Sequence, residues 1–215
     1  MAKFDPDISQ FAAWRDGKAS AWARAGLRIG LFGGSFNPAH GGHRHVAISA
    51  LNMLKLDAVV WLVAPQNPLK TADDMAEYER RKQSAARYAD HPRMLVSDFE
   101  RRIDTRYTAD TLKCLSRRYP KARFVWLMGA DSFLSFHRWK NWRDILRAMP
   151  VAILPRPGSS LVAAKSHAGR QMARAMASPA TARALPSAKP PAWTVLAAEL
   201  DKRSSSAIRK RGEWP

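Results

Sequence analysis

The sequence predicts a doubly wound α/β fold, a parallel β-sheet covered by helices on both faces. Short apolar, β-branched runs alternate with segments of helical periodicity along most of the chain, and the first such run stops at a glycine pair just before a helix. The length of 215 residues suits one domain of this kind.

The elements follow in order. Phe4 to Ala25 sets Ile8, Phe11, Ala12, Trp14 and Trp22 among charges, the pattern of a short amphipathic helix, so residues 1–26 are expected to be a helical extension and 27–215 a single domain. Leu27 to Phe32 reads as a buried strand ending in Gly33-Gly34. From Gly41, Val46, Ala47, Ile48, Leu51 and Leu54 recur at helical spacing, and Asp57 to Ala64 is the next strand. The alternation continues with a polar helix over Glu77 to Ala89, a strand at Met94 to Val96, a helix from Thr108 to Arg118 and a strand from Phe124 to Met128. A short helix from Trp142 to Met149 precedes a strand from Val151 to Leu154, closed by Pro155 and Pro157. Beyond it, one exposed helix is expected over Leu161 to Ala177. Pro179, Pro186, Pro190 and Pro191 make the remainder read as loop.

Composition narrows the function classes. With 46% hydrophobic and 25% charged residues the chain is neither a disordered nor a membrane type. Its longest apolar stretch, Ala58 to Pro65, is far below the roughly 20 residues that cross a bilayer, and no apolar signal core opens the chain, so a cytoplasmic location without membrane contact is expected. The single cysteine, Cys114, sits in a helical pattern and is assigned no chemistry. Thirty-six Lys and Arg against eighteen Asp and Glu leave a formal charge of +18, which favours polyanionic partners. These cations are scattered through almost every segment, and no nucleic-acid-reading motif organises them, so a field that attracts phosphorylated small molecules is the preferred reading over nucleic acid.

The chemistry concentrates in Gly33-Gly34-Ser35-Phe36-Asn37-Pro38-Ala39-His40-Gly41-Gly42-His43, between the first strand and the first helix. In a parallel sheet such a loop lies at a strand's carboxyl end, where ligands bind. Gly33 and Gly34 are expected to let backbone approach a phosphate, and Gly41 and Gly42 to open a helix whose amides favour an anion. The pattern is neither Gly-x-x-x-x-Gly-Lys-Ser/Thr nor Gly-x-Gly-x-x-Gly. His40 and His43 could be metal ligands, yet a closed zinc site needs further partners and none is near in sequence. They could also be structural. The reading adopted is a pair of donors to a phosphate whose charge grows in the transition state.

His40-Gly41-Gly42-His43 resembles the His-x-Gly-His signature of the nucleotidyltransferase superfamily. Ser204-Ser205-Ser206-Ala207-Ile208-Arg209 is similar to its C-terminal Ile-Ser-Ser-Thr-x-Ile-Arg, with Arg203 for Ile and Ser206 for Thr. Between them, Asn67-Pro68-Leu69-Lys70, Tyr107-Thr108-Ala109-Asp110-Thr111-Leu112, Gly129-Ala130-Asp131-Ser132, and Trp139 with Trp142 resemble the nicotinate mononucleotide adenylyltransferases. Lys140 stands where relatives often carry an aromatic.

That resemblance implies a Rossmann-like nucleotidyltransferase fold and transfer of the adenylyl group of ATP to nicotinate mononucleotide in NAD biosynthesis. It implies His40, His43 and Arg209 as catalytic residues. ATP would meet Gly33, Gly34, Ser35, Phe36, His40, His43, Asp131, Ser204, Ser205, Ser206, Ile208 and Arg209. The nicotinate nucleotide would meet Asn37, Lys70, Tyr107, Thr108 and Trp139. Mg²⁺ would arrive on the ATP phosphates, with no protein ligand required. The rival readings are an adenylyltransferase for another acceptor, such as nicotinamide mononucleotide or phosphopantetheine, and a basic nucleic-acid-binding protein on an inactive nucleotidyltransferase fold. Homo-oligomerisation is left open.

Overall fold

The computed structural model describes residues 26–66, 75–155, 160–197 and 205–214. The expected N-terminal helix, Lys70 and Ser204 lie outside the described residues. Six strands form one parallel sheet: β1 (Arg28–Gly34), β2 (Ala58–Val63), β3 (Met94–Ser97), β4 (Arg123–Gly129), β5 (Val151–Leu154) and β6 (Trp193–Val195). Their spatial order is β3-β2-β1-β4-β5-β6, with the direction of winding reversed between β1 and β4.

The strands are apolar on both sides because both sides are covered. In β2, Ala58, Val60 and Leu62 enter one core and Val59, Trp61 and Val63 the other, all fully buried. The first core also holds residues of α4 (Thr108–Arg118), α5 (Ala130–Leu134) and α6 (Trp142–Ala148). The second is closed by α1 (Gly41–Met53), α2 (Tyr78–Tyr88) and a 3₁₀ stretch over Pro179–Ser187. Leu112 and Leu115 of α4, three apart and both fully buried, illustrate how helical periodicity selects the covered face.

The segment after β5 departs from expectation. In place of one exposed helix and a loop there are two short helices, α7 (Ser160–Lys165) and α8 (His167–Gln171), a 3₁₀ turn at Ala173–Ala175, the 3₁₀ stretch just named, and β6. Ser166 breaks the helix by capping a new one, its Oγ accepting from the Gly169 amide at 3.0 Å. Gly169 lies so close to the Ala163 carbonyl oxygen that a Cβ would come within 2.4 Å of it. Ala163, Ala168, Ala182, Leu185 and Trp193 are buried, so small residues that read as exposed helix or loop are packing against the sheet. A four-residue helix, α3 (Phe99–Arg102), also follows β3 without a sequence signal.

The glycine pair also has a packing reason that its position did not suggest. A Cβ on Gly33 would sit 2.2 Å from the Trp126 ring, and one on Gly34 would sit 3.1 Å from the ring of Phe36. Bare backbone is required at Gly33 so that the Trp126 ring can lie against β1, and at Gly34 it spares the Phe36 ring a tight contact.

Candidate active site

The carboxyl ends of β1 and β4 open into a cavity of about 530 Å³, at the point where the winding reverses. Of the expected residues, Gly33, Gly34, Ser35, Phe36, Asn37, His40 and His43 line it from the loop after β1, Tyr107 and Thr108 from the start of α4, Asp131 and Trp139 from beyond β4, and Ser205 and Ser206 from the C-terminal helix α9 (Ser205–Lys210). Ile208 and Arg209 do not line it. Instead Arg209 Nη1 donates to the Asn37 carbonyl, and Ser205 Oγ donates to the Pro38 carbonyl at 2.8 Å. The two ends of the chain that carry the signature residues are thus joined, with α9 buttressing the histidine loop.

Within the loop, Phe36 has a φ of +46°, in the left-handed region. For a residue with a Cβ this costs about 1–2 kcal/mol. The ring offsets it by being buried, stacked on Trp61 with centroids 5.1 Å apart and edge-on to Phe32 at 5.5 Å. His43 packs against the same cluster, 5.2 Å from Phe36.

The histidines cap α1 reciprocally. His40 Nδ1 accepts from the Gly42 amide at 3.1 Å, and His43 Nδ1 accepts from the His40 amide at 3.2 Å. A ring nitrogen that accepts carries no proton, so each imidazole bears its N–H on Nε2. The rings lie 4.0 Å apart. The cap therefore does two things: it starts the helix, and it sets both side chains as Nε2–H donors. One of the helix amides expected to meet an anion, that of Gly42, is used in the cap.

Trp139 stands edge-on to Trp126 and to Phe136, with centroids at 6.5 and 5.4 Å, and is half-buried. Lys140, in the place of an aromatic, lies with Nζ 4.2 Å above the Tyr107 ring. Lys140, Arg106 and Arg138 all line the cavity; the last two were not singled out in the sequence, because nothing distinguishes them from the other cations until the chain is folded.

Glu100 was also missed. It sits in a charged stretch that reads as surface, yet it is only 5% exposed and lines the cavity. Burial pushes its carboxyl from the usual 4.5 up to about 7, and the hydrogen bond from Thr111 Oγ1 at 3.0 Å opposes that rise. An acid raised in the folded state holds its proton there longer than in the unfolded chain. Its stabilising contribution is full below about pH 4.5 and is lost as the pH rises through 7, a decline of roughly 3 kcal/mol. Glu100→Gln removes that slope. Urea unfolding at pH 5 and pH 8 should show the Gln variant gaining on the wild type as the pH rises, and parallel pH curves would contradict it.

A cytidylyltransferase-like family model matches residues 31–211. A probable nicotinate-nucleotide adenylyltransferase of Caulobacter sp. (strain K31) is 49% identical over 185 residues, covering 86% of this chain and 98% of that one. Its counterpart in Parvibaculum lavamentivorans is 48% identical over 189 residues, covering 88% and 94%. The Plasmodium falciparum nicotinic acid mononucleotide adenylyltransferase complexed with NaAD shares the fold, with a TM-score of 0.65 at 17% identity and coverage of 86% and 83%. With its histidine loop, sheet order and near full-length relatives in agreement, the chain belongs to the cytidylyltransferase-like nucleotidyltransferases and, within them, to the nicotinate-nucleotide adenylyltransferase family.

Proposed function

We propose that the protein transfers the adenylyl group of ATP to nicotinate mononucleotide, giving the deamido dinucleotide and pyrophosphate. The observation that carries this reading is the meeting of the histidine loop, the Tyr107–Thr108 helix start and α9 on one cavity at the reversal point of the sheet. An oxygen of the acceptor's 5′-phosphate attacks the α-phosphorus of ATP; the new P–O bond forms as the bond to the β-phosphate oxygen breaks, and pyrophosphate leaves with that electron pair. No protein nucleophile takes part. Alignment of two bound reactants can supply roughly 7–11 kcal/mol of the barrier reduction, and donors aimed at the developing charge supply much of the rest.

His40 and His43 donate from Nε2 to the α-phosphate. Ser205 and Ser206 face the β- and γ-phosphates, and Arg209 holds the loop in place through Asn37. Among the described residues no three His, Cys, Asp or Glu side chains converge as a metal cage. The donor set fits an ion carried on phosphate oxygens and water, with no protein ligand required, and Asp131 in the cavity wall would contact ATP. Mg²⁺ bound in this way would screen the triphosphate.

Trp139 stacks on the pyridine ring, and the Thr108 and Ala109 amides at the start of α4 receive the nicotinate carboxylate, the Asp110 amide being taken by the Tyr107 carbonyl at 3.1 Å. A carboxylate gains from that field; an amide gains less and sets its NH₂ against donors. Pyrophosphate release should therefore favour nicotinate mononucleotide over nicotinamide mononucleotide and phosphopantetheine. Trp139→Ala should raise the acceptor KM and leave the ATP KM largely unchanged. Equal use of the two pyridine nucleotides would overturn the acceptor assignment.

A further inference from the structure

Glu100 is a carboxyl that the adenylyl transfer itself does not use. Oε1 is held by Thr111 Oγ1 at 3.0 Å; Thr111 is fully buried and its hydroxyl also lies 3.3 Å from the Tyr107 carbonyl. No other side-chain hydrogen bond or ion pair of Glu100 forms among the described residues, and its remaining exposure opens into the cavity it lines. The second oxygen is thus an acceptor in the cavity wall, one hydroxyl away from the start of α4. Holding Thr111 takes only one oxygen of the carboxyl, and the other is left facing the cavity.

We propose that Glu100 is a binding residue for the acceptor, its outward oxygen accepting a hydrogen bond from a ribose hydroxyl. This rests on the reading of the site as one for nicotinate mononucleotide. The chemistry of that nucleotide leaves little choice. Its phosphate and carboxylate are acceptors that a neighbouring carboxylate repels, its ring nitrogen is quaternary, and the two sugar hydroxyls are its only hydrogen-bond donors near neutral pH. Arg106, Lys140 and Arg138 line the same cavity and serve the anionic ends of the ligand, so the one buried carboxyl among them marks where a donor sits. The positively charged pyridinium beside the sugar adds a favourable field.

The test is a kinetic cycle at pH 8 on wild type, Glu100→Ala and Glu100→Gln, with nicotinate mononucleotide and its 2′-deoxy and 3′-deoxy forms. Glu100→Ala should raise the acceptor KM about ten- to a hundredfold and the ATP KM by less than about twofold. In the wild type one deoxy form should lose a similar factor, and that form should lose little more when combined with Glu100→Ala. Glu100→Gln keeps the volume and the bond to Thr111, so it remains folded and should show a smaller loss with the same non-additivity. Losses that add for both deoxy forms, or an ATP KM that rises as much as the acceptor's, overturn the contact while leaving the function intact. A wild type that releases no pyrophosphate with nicotinate mononucleotide overturns the reading of the site, and the contact with it.

Discussion

Replacing His43 by alanine should lower turnover by about two or more orders of magnitude, the scale of removing one preorganised donor from developing transition-state charge. Both KM values should move much less. The geometry makes His43 the cleaner of the two histidines to test. His40 is the N-cap of α1 and its Nδ1 accepts from Gly42, so its loss also costs the helix about 1 kcal/mol. His43 lies inside the first turn, and its Nδ1 contact to the His40 amide is one that water at the half-buried edge can replace. Its ring is otherwise held by Phe36, Phe32 and Trp61, which pack on one another without it. Turnover measured by pyrophosphate release, beside a thermal melt that reports the fold, separates the two roles. A folded Ala variant with near-normal turnover would remove His43 from the chemistry.

What could be read in the sequence, and what could not, follows from how local each cause is. The helix from Thr108 to Arg118 and the strand from Val151 to Leu154 appear with the bounds their patterns suggest, because a complete apolar period or run carries its own boundaries. The histidine loop was legible for the same reason: its spacing is local. β6 was not. Trp193, Thr194 and Val195 are good strand formers, but three residues behind a pair of prolines become a strand only when β5 is beside them to pair with. Glu100 and Arg81 were illegible in a stronger sense. Each lies in a run of charges, and nothing within several residues records that one of those charges turns inward while its neighbours stay in water. Gly33 shows a third case: its place before the helix is a local signal, whereas the Trp126 ring that leaves no room for a Cβ lies about ninety residues further on.

Arg81 carries the second large expected effect. The residue is 1% exposed, and the four hydrogen bonds its guanidinium makes all go to main chain: Nε to the Ala76 carbonyl at 2.9 Å, Nη1 to Ser35 at 2.9 Å and Ala64 at 2.8 Å, and Nη2 to Pro65 at 2.9 Å. No carboxylate pairs with it among the described residues. Burial lowers its proton affinity from the usual value, yet a guanidinium keeps its charge. Four carbonyl dipoles take the place of a counter-ion, and in doing so they tie the turn of the histidine loop to the end of β2 and to the approach to α2. Arg81→Met fills similar space but leaves those carbonyls without their donor, at about 1–3 kcal/mol for each that water does not reach. A loss of about 3–5 kcal/mol is expected, comparable to breaking a buried ion pair. Arg81→Lys should fall between, because an ammonium can meet some of the carbonyls but not in a planar fork. Freed from Nη1, the Ser35–Phe36 peptide can relax the left-handed φ at Phe36, so the Lys variant should lose turnover beyond what its stability explains. Denaturant midpoints for the three proteins, with turnover measured well below each unfolding transition, decide the matter. A Met variant within about 1 kcal/mol of wild type would show that the carbonyls find other donors, and that the loop is held by the Phe36 stack and α9 instead.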